Sequence, residues 1–183
     1  MFSTQESTLI TYIITISNKS RAGACSRRYF ESEGEIMDRK FLKEAIIEGQ
    51  KAGEKGEVPV GAVIVKDGEI IARAHNRREE KQDPLSHAEL EAISIAAKKL
   101  GTWRLDGCEL YVTLEPCPMC AGAIINSRIK TLVFGAYDSV WGAIDSVINL
   151  CDQPFPHHPQ IYGGIYEEDC ARLLKEFFVN LRG

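Results

Sequence analysis

The chain has 183 residues, of which 44% are hydrophobic and 26% charged, and its net charge is −4 at pH 7. This length fits one globular domain, and the composition is that of an ordinary folded protein. The small negative charge excludes a strong overall attraction to nucleic acid, and no apolar run is long enough to cross a bilayer. The apolar run at residues 9–16 is short and precedes the nearest basic residues, which argues against a secretory signal.

Residues 1–36 share no pattern with the rest of the chain, and Met37-Asp38-Arg39 resembles a second beginning, with Asp38 placed to cap a helix. We therefore divide the chain into an N-terminal extension, residues 1–36, and a domain, residues 37–183. Two interpretations of the extension stand side by side. It is either a translated leader ahead of a true start at Met37, or a disordered or weakly packed segment.

The first half of the domain alternates helical and strand patterns. Apolar residues at helical spacing predict a helix from about residue 41 to residue 52, closed by Gly53 and Gly56. Residues 58–65 and 69–75 predict a hairpin, because β-branched residues flank a turn at 66–68. After a polar loop at 76–85, Ser86 is predicted to cap a helix that runs to about residue 100, with Leu90, Ile93 and Ala97 facing inward.

The second half predicts strands at 109–114 and 131–134, helices at 117–126 and 170–181, and a short strand at 160–162. Residues 138–160 contain three prolines and predict mostly loop with one helical turn. Helices that alternate with buried strands predict an α/β fold in three layers, with helices on both faces of a mixed five-stranded sheet. The first two strands should be antiparallel and the later strands parallel.

One motif points to chemistry. Ser86-His87-Ala88-Glu89 is followed about thirty residues later by Pro116-Cys117-Pro118-Met119-Cys120. One imidazole and two thiolates suit tetrahedral zinc, and three protein ligands leave a fourth position for the water that a catalytic zinc site activates. Glu89 lies two residues after the histidine, close enough to transfer protons without binding the metal. Six cysteines are present, but only Cys117 and Cys120 have motif spacing, which favours metal-binding thiols in a reducing cytoplasm over disulfides.

Each element of this motif also has a simpler interpretation. Ser86 and Glu89 form an S-x-x-E capping box, so Glu89 alone would more often be a helix cap. A lone CxxC is also typical of half a structural zinc site or of a redox pair. A structural site would need a fourth protein ligand, and the candidates, His157 and His158, lie in a proline-rich loop. The combination therefore favours a hydrolytic metal centre.

Beyond this motif, the chain resembles the bacterial tRNA-specific adenosine deaminases, which are cytidine-deaminase-like zinc enzymes. The resemblance extends from Met37 to about Arg182. Its segments are EVPVGAV (57–63), HNR (75–77), HAE (87–89), LGTWRL (100–105), LYVTLEPCPMCAGA (110–123), SRI (127–129) and FGA (134–136).

The resemblance implies a cytidine-deaminase-like fold, a cytoplasmic homodimer, and conversion of adenosine to inosine at the wobble position of a tRNA anticodon stem-loop. It implies that His87, Cys117 and Cys120 hold one zinc ion per subunit and that Glu89 is the catalytic proton carrier. It further implies substrate contacts for three residues: Asn76, Ala88 and Asp138. Asn76 has an alternative role as the turn residue that ends the hairpin strand.

The chain departs from the family around the RNA-binding rim. Ser139-Val140-Trp141-Gly142 replaces a segment that usually carries a lysine, and Trp141 either stacks on a base or packs the loop. Phosphate contacts are predicted for four cations near the site: Arg77, Arg78, Lys81 and Arg104. Two competing functions remain open: a deaminase of free bases or nucleosides such as guanine or cytosine, and a zinc-stabilised binding protein without turnover. Glu89 argues against the binding protein.

Overall fold

The computed structural model describes residues 39–181. The extension at 1–36, its boundary at Met37 and the capping role of Asp38 lie outside these residues. Five helices and five strands follow one another in the described part, and we number them in chain order. They are α1 Lys40–Glu54, β1 Gly61–Lys66, β2 Glu69–His75, α2 Arg78–Lys81, α3 Ala88–Leu100, β3 Glu109–Leu114, α4 Pro118–Asn126, β4 Thr131–Ala136, β5 Gln160–Tyr162 and α5 Glu167–Asn180.

The five strands form one mixed sheet in the order β2-β1-β3-β4-β5. β1 is antiparallel to both β2 and β3, whereas β3, β4 and β5 are parallel. The predicted hairpin followed by a parallel set is therefore confirmed. Residues 39–181 contain no helix with the length and hydropathy needed to span a bilayer.

Alternating residues of the central strands supply two separate cores, one on each face of the sheet. Ala62 and Ile64 of β1 face α3 and α4, and the neighbouring Val63 and Val65 face α1. α5 covers the same face as α1, where Leu174 packs against the ends of β3 and β4. The predicted three-layer α/β/α architecture is confirmed, and it places α3 and α4 together on one face.

Some predicted boundaries were wrong. The strand predicted at 58–65 is β1 at Gly61–Lys66, and Gly53 lies inside α1 instead of closing it. The loop predicted at 76–85 contains α2, which has four polar residues and therefore no apolar periodicity. The one helical turn predicted between β4 and β5 is present as a single i→i+4 hydrogen bond, from the Gly142 N–H to the carbonyl oxygen of Asp138, and it does not continue into a helix.

The inner face of α3 was predicted one residue away from its true position. The fully buried stripe consists of Ala88, Ala92 and Ala96, while Ile93 and Ala97 are half-buried beside it. Alanines have no bulk beyond Cβ, so they allow the helix axis to approach the sheet closely. The larger side chains then flank the contact instead of pointing straight into it.

α1 crosses β1 at a close backbone contact. A Cβ atom on Gly61 would overlap the carbonyl oxygen of Ala45 and the amide nitrogen of Gly49, both in α1. The helix therefore packs directly on the strand only because residue 61 has no side chain.

We expect Gly61→Ala to lower the free energy of unfolding by about 1–3 kcal/mol, because helix backbone cannot move aside as a flexible side chain can. Gly53→Ala is the matched control, since a Cβ there makes only ordinary contacts with Pro59 and Phe177. It should be neutral or stabilising by up to about 1 kcal/mol. Urea unfolding of both variants measures the difference, and equal values would contradict the close contact.

Candidate active site

The predicted metal ligands meet at the starts of α3 and α4. His87 is the N-cap residue of α3, Cys117 is the N-cap residue of α4, and Cys120 lies in the first turn of α4. β3 ends at Leu114, so its chain reaches Cys117 within three residues. The sites of open α/β sheets form at such strand ends.

His87 Nδ1 lies 3.8 Å from Cys117 Sγ and 3.6 Å from Cys120 Sγ. All three ligand atoms lie within 4.8 Å of one another. In the part of the chain that the structure describes, this is the one group of His, Cys, Asp and Glu side chains able to share a metal ion, and it contains these three residues alone. His157 and His158 are occupied elsewhere, since they contact the carbonyl oxygens of Ile129 and Cys151.

The two thiols are electrostatically unequal. A hydrogen bond from Cys120, followed by one from His87, lowers the pKa of Cys117 to about 4. The same hydrogen bond to Cys117, together with burial, raises the pKa of Cys120. The low pKa favours the thiolate form of Cys117, which is the form that binds metal, and the other sulfur and nitrogen ligands already lie beside it. The five described cysteines are all free thiols.

Glu89 is 4% exposed and lies in the first turn of α3 beside this cluster. Burial raises the pKa of the Glu89 carboxyl, and a hydrogen bond with Cys120 links it to the ligand group. The capping-box interpretation was wrong, because the N-cap residue is His87 and the Ser86 hydroxyl donates to Asp83 Oδ2 at 2.9 Å. The structure therefore provides no capping-box role for Glu89.

Asn76 follows the last residue of β2 and is 6% exposed. Its amide nitrogen donates to Glu57 Oε2 at 3.2 Å, and the other oxygen of Glu57 accepts the backbone N–H of Glu80 at 2.7 Å. Since a carboxylate only accepts hydrogen bonds, Glu57 fixes which way the Asn76 amide points. Sequence reasoning missed Glu57, whose partners Asn76 and Glu80 lie 19 and 23 residues away in the chain.

Ala88 and Asp138 are both buried. Ala88 is the first residue of α3, where backbone amides have no partner within the helix. Asp138 Oδ1 accepts the backbone N–H groups of Val140 at 2.9 Å and Trp141 at 3.0 Å. The Asp138 side chain therefore shapes its own loop.

Glu115, which precedes Pro116, is the second residue that sequence reasoning missed. It is 2% exposed and accepts backbone N–H groups from Asp138, Ile144, Asp145 and Ser146, at 2.7–3.1 Å, together with the Ser146 hydroxyl. One carboxylate thus ties the metal-ligand turn to the loop at residues 138–146. We call this segment the rim loop.

The four predicted phosphate-binding cations are not equivalent. Three are in ion pairs: Arg77 with Glu80, Lys81 with Glu91, and Arg104 with Asp106. Arg104 also follows the far end of α3, a helix whose 13 residues span about 20 Å, so its predicted position near the site was wrong. The pKa of His87 is raised, chiefly by its hydrogen bond with Cys117, and the positive charge of the exposed Arg78 slightly opposes that rise. Among the four, Arg78 is the cation best placed at the site.

Comparison with known proteins agrees with this geometry. The profile of the MafB19-like deaminases matches residues 36–181. The chain is 53% identical over 147 residues to the tRNA-specific adenosine deaminase of Bacillus subtilis (strain 168), covering 80% of this chain and 91% of that protein. It is 51% identical over 142 residues to the tRNA-specific adenosine deaminase of Aquifex aeolicus (strain VF5), covering 78% and 94%.

Among solved structures, one from work on A-to-I editing by tRNA:A34 deaminases at the wobble position of transfer RNA superimposes with a TM-score of 0.72. It is 46% identical in sequence, and the match covers 74% of this chain and 99% of that chain. The chain belongs to the MafB19-like deaminase family, among the tRNA-specific adenosine deaminases.

Proposed function

We propose that this protein hydrolyses adenosine to inosine at the wobble position of a tRNA anticodon and releases ammonia. The observation that carries the proposal is the convergence of His87, Cys117 and Cys120 beside the buried Glu89. The names of the relatives supply the substrate class, and the cluster supplies a centre able to perform hydrolysis.

The ligand set fits zinc. Cysteine sulfur and histidine nitrogen are the donors that Zn²⁺ prefers, and a group of three is typical of catalytic sites. When bound, zinc supplies the Lewis acidity that activates water near neutral pH. The donor set does not suit Mg²⁺ or Ca²⁺, which bind oxygen ligands.

Glu89 is the proton carrier in this proposal. Its carboxylate takes a proton from the attacking water and delivers it to the purine ring nitrogen N1 as the water oxygen bonds to C6. The second water proton then reaches the exocyclic amine through the same carboxyl, the C6–N bond breaks, and ammonia leaves. Water and adenosine are thereby converted to inosine and ammonia, with Glu89 returned to its starting state.

Substrate contacts fall to groups around the cluster. The Asn76 amide, held in one orientation by Glu57, and the backbone N–H of Ala88 are positioned to hydrogen-bond the flipped nucleotide. Asp138 contributes through the rim loop that it shapes. Arg78 supplies the cation for a flanking phosphate. We further propose that the protein is a homodimer and that it acts in the cytoplasm. The free thiols of the described chain are consistent with that reducing compartment.

A deaminase of free bases is the second candidate. A guanine deaminase from Bacillus subtilis is 44% identical but superimposes with a TM-score of only 0.53, over 56% of this chain. The higher TM-score and wider coverage of the tRNA:A34 deaminase structure favour the tRNA substrate. A binding protein without turnover gives no reason to keep a carboxylate buried beside the metal ligands.

We expect zinc-loaded protein to form inosine in an anticodon stem-loop that carries a wobble adenosine, and to leave free adenosine, cytosine and guanine unchanged. Inosine is measured by mass spectrometry of nuclease digests. A stem-loop with guanosine at the wobble position is the control. Ammonia release from a free base would support the second candidate, and no product from any of these substrates would support the binding protein.

Glu89→Gln should lower kcat by at least about 100-fold and leave zinc content unchanged, because the amide keeps the shape but cannot carry the proton. Glu91→Gln is the matched control on the same helix, since Glu91 pairs with Lys81 away from the ligand cluster. Single-turnover kinetics on the stem-loop separate the chemical step from product release. An active Glu89→Gln variant would assign proton transfer to another group.

Cys117→Ala should abolish stoichiometric zinc binding and lower the melting temperature, because the ion would no longer join the starts of α3 and α4. Cys108→Ala is the control, since Cys108 is a buried free thiol whose pKa is raised by burial. That variant should keep about one zinc per chain. Inductively coupled plasma mass spectrometry measures the zinc content of both variants. Full zinc content in Cys117→Ala would refute the proposed ligand set.

A further inference from the structure

We propose that Trp141 stacks on a nucleobase of the substrate RNA next to the target adenosine. This inference rests on the proposed function and adds a binding surface to it. Trp141 is 63% exposed, so of its two sequence-based roles, stacking on a base or packing the loop, the structure does not support packing. Aromatic side chains at the surface are the usual platforms for unpaired bases.

The rim loop holds Trp141 in a fixed backbone position. The Trp141 N–H donates to Asp138 Oδ1 at 3.0 Å, and Asp138 itself donates its N–H to Glu115 Oε2 at 3.0 Å. Gly142, the next residue, donates to the carbonyl oxygen of Asp138 at 2.9 Å and is packed against the Glu115 carboxyl. A platform that is already ordered loses little conformational freedom when a base stacks on it.

Backbone contacts hold the rim loop, which carries Trp141, against the turn that leads to the ligand Cys117. Ala143, two residues further on, donates its backbone N–H to the carbonyl oxygen of Pro116 at 2.9 Å. Pro116 directly precedes the ligand Cys117. A nucleotide whose base occupies the site therefore has its neighbours near this loop, where the exposed indole is available for stacking.

Charge does not provide the attraction at this loop. Glu115 and Asp138 are buried and accept several N–H groups each, whereas Asp145 is an exposed carboxylate of the same loop. Stacking requires no cation, which suits a rim loop that contains no lysine or arginine. The surface thus fits a base ring rather than a phosphate group.

The chain provides a matched control in its second tryptophan. Trp103 is 58% exposed, close to the value for Trp141, but it lies beyond the far end of α3 and contacts Arg104. If exposure alone made a tryptophan bind RNA, both residues would contribute. If position at the site matters, only Trp141 should.

The test measures stem-loop binding and turnover in zinc-loaded protein. In a Trp103→Phe background, the fluorescence of Trp141 should be quenched as the anticodon stem-loop is added. Trp141→Ala should raise Kd and KM by about fivefold to a hundredfold with kcat within about twofold, as expected for loss of one stacked base. Trp141→Phe should restore most of the affinity, and Trp103→Ala should change neither constant.

The outcomes separate this inference from the proposed function. If wild-type protein deaminates the stem-loop and Trp141→Ala leaves Kd and KM unchanged, the stacking role is overturned and the proposed function stands. No turnover by wild-type protein overturns the proposed function instead. If Trp141→Ala changes the sedimentation coefficient from that of a dimer to that of a monomer, Trp141 belongs to a subunit contact, together with the exposed Val147 and Ile148. That result also overturns the stacking role.

Discussion

The structure depends on the convergence of two helix N-termini on one point. α3 and α4 begin at the same edge of the sheet, with His87 and Cys117 as their N-cap residues. The positive ends of two helix dipoles face each other there, which is unfavourable unless negative charge lies between them. The low pKa of Cys117, about 4, provides an anion at that place.

Three buried glutamates surround this point, and their partners separate their roles. Glu57 and Glu115 accept N–H groups on both carboxylate oxygens, so their negative charge is satisfied by fixed donors. Glu57 orients the Asn76 amide, and Glu115 orients the rim loop. Glu89 is also buried, burial raises the pKa of its carboxyl, and the proposed proton transfer rests on this group.

Sequence patterns predicted the parts of the fold that repeat regularly. β2 and β3 were located correctly, and His87, Cys117 and Cys120 come together as expected, because strand alternation and motif spacing are local properties of the chain. The inner face of α3 was missed, since close packing of alanines is decided by the sheet opposite. Glu57 and Glu115 were missed for the same kind of reason. Their partners lie up to 31 residues away in sequence, and no local pattern records such a contact.

This division between local and distant determinants explains where the chain can vary. The rim loop is held through its backbone, because Glu115 binds the N–H groups of residues 138, 144, 145 and 146 regardless of their side chains. Side chains such as Val140 and Trp141 can therefore change without moving the loop or the metal ligands. The candidate site is built from a few buried groups, whereas the exposed side chains of the rim loop can change on a backbone that one of those groups holds.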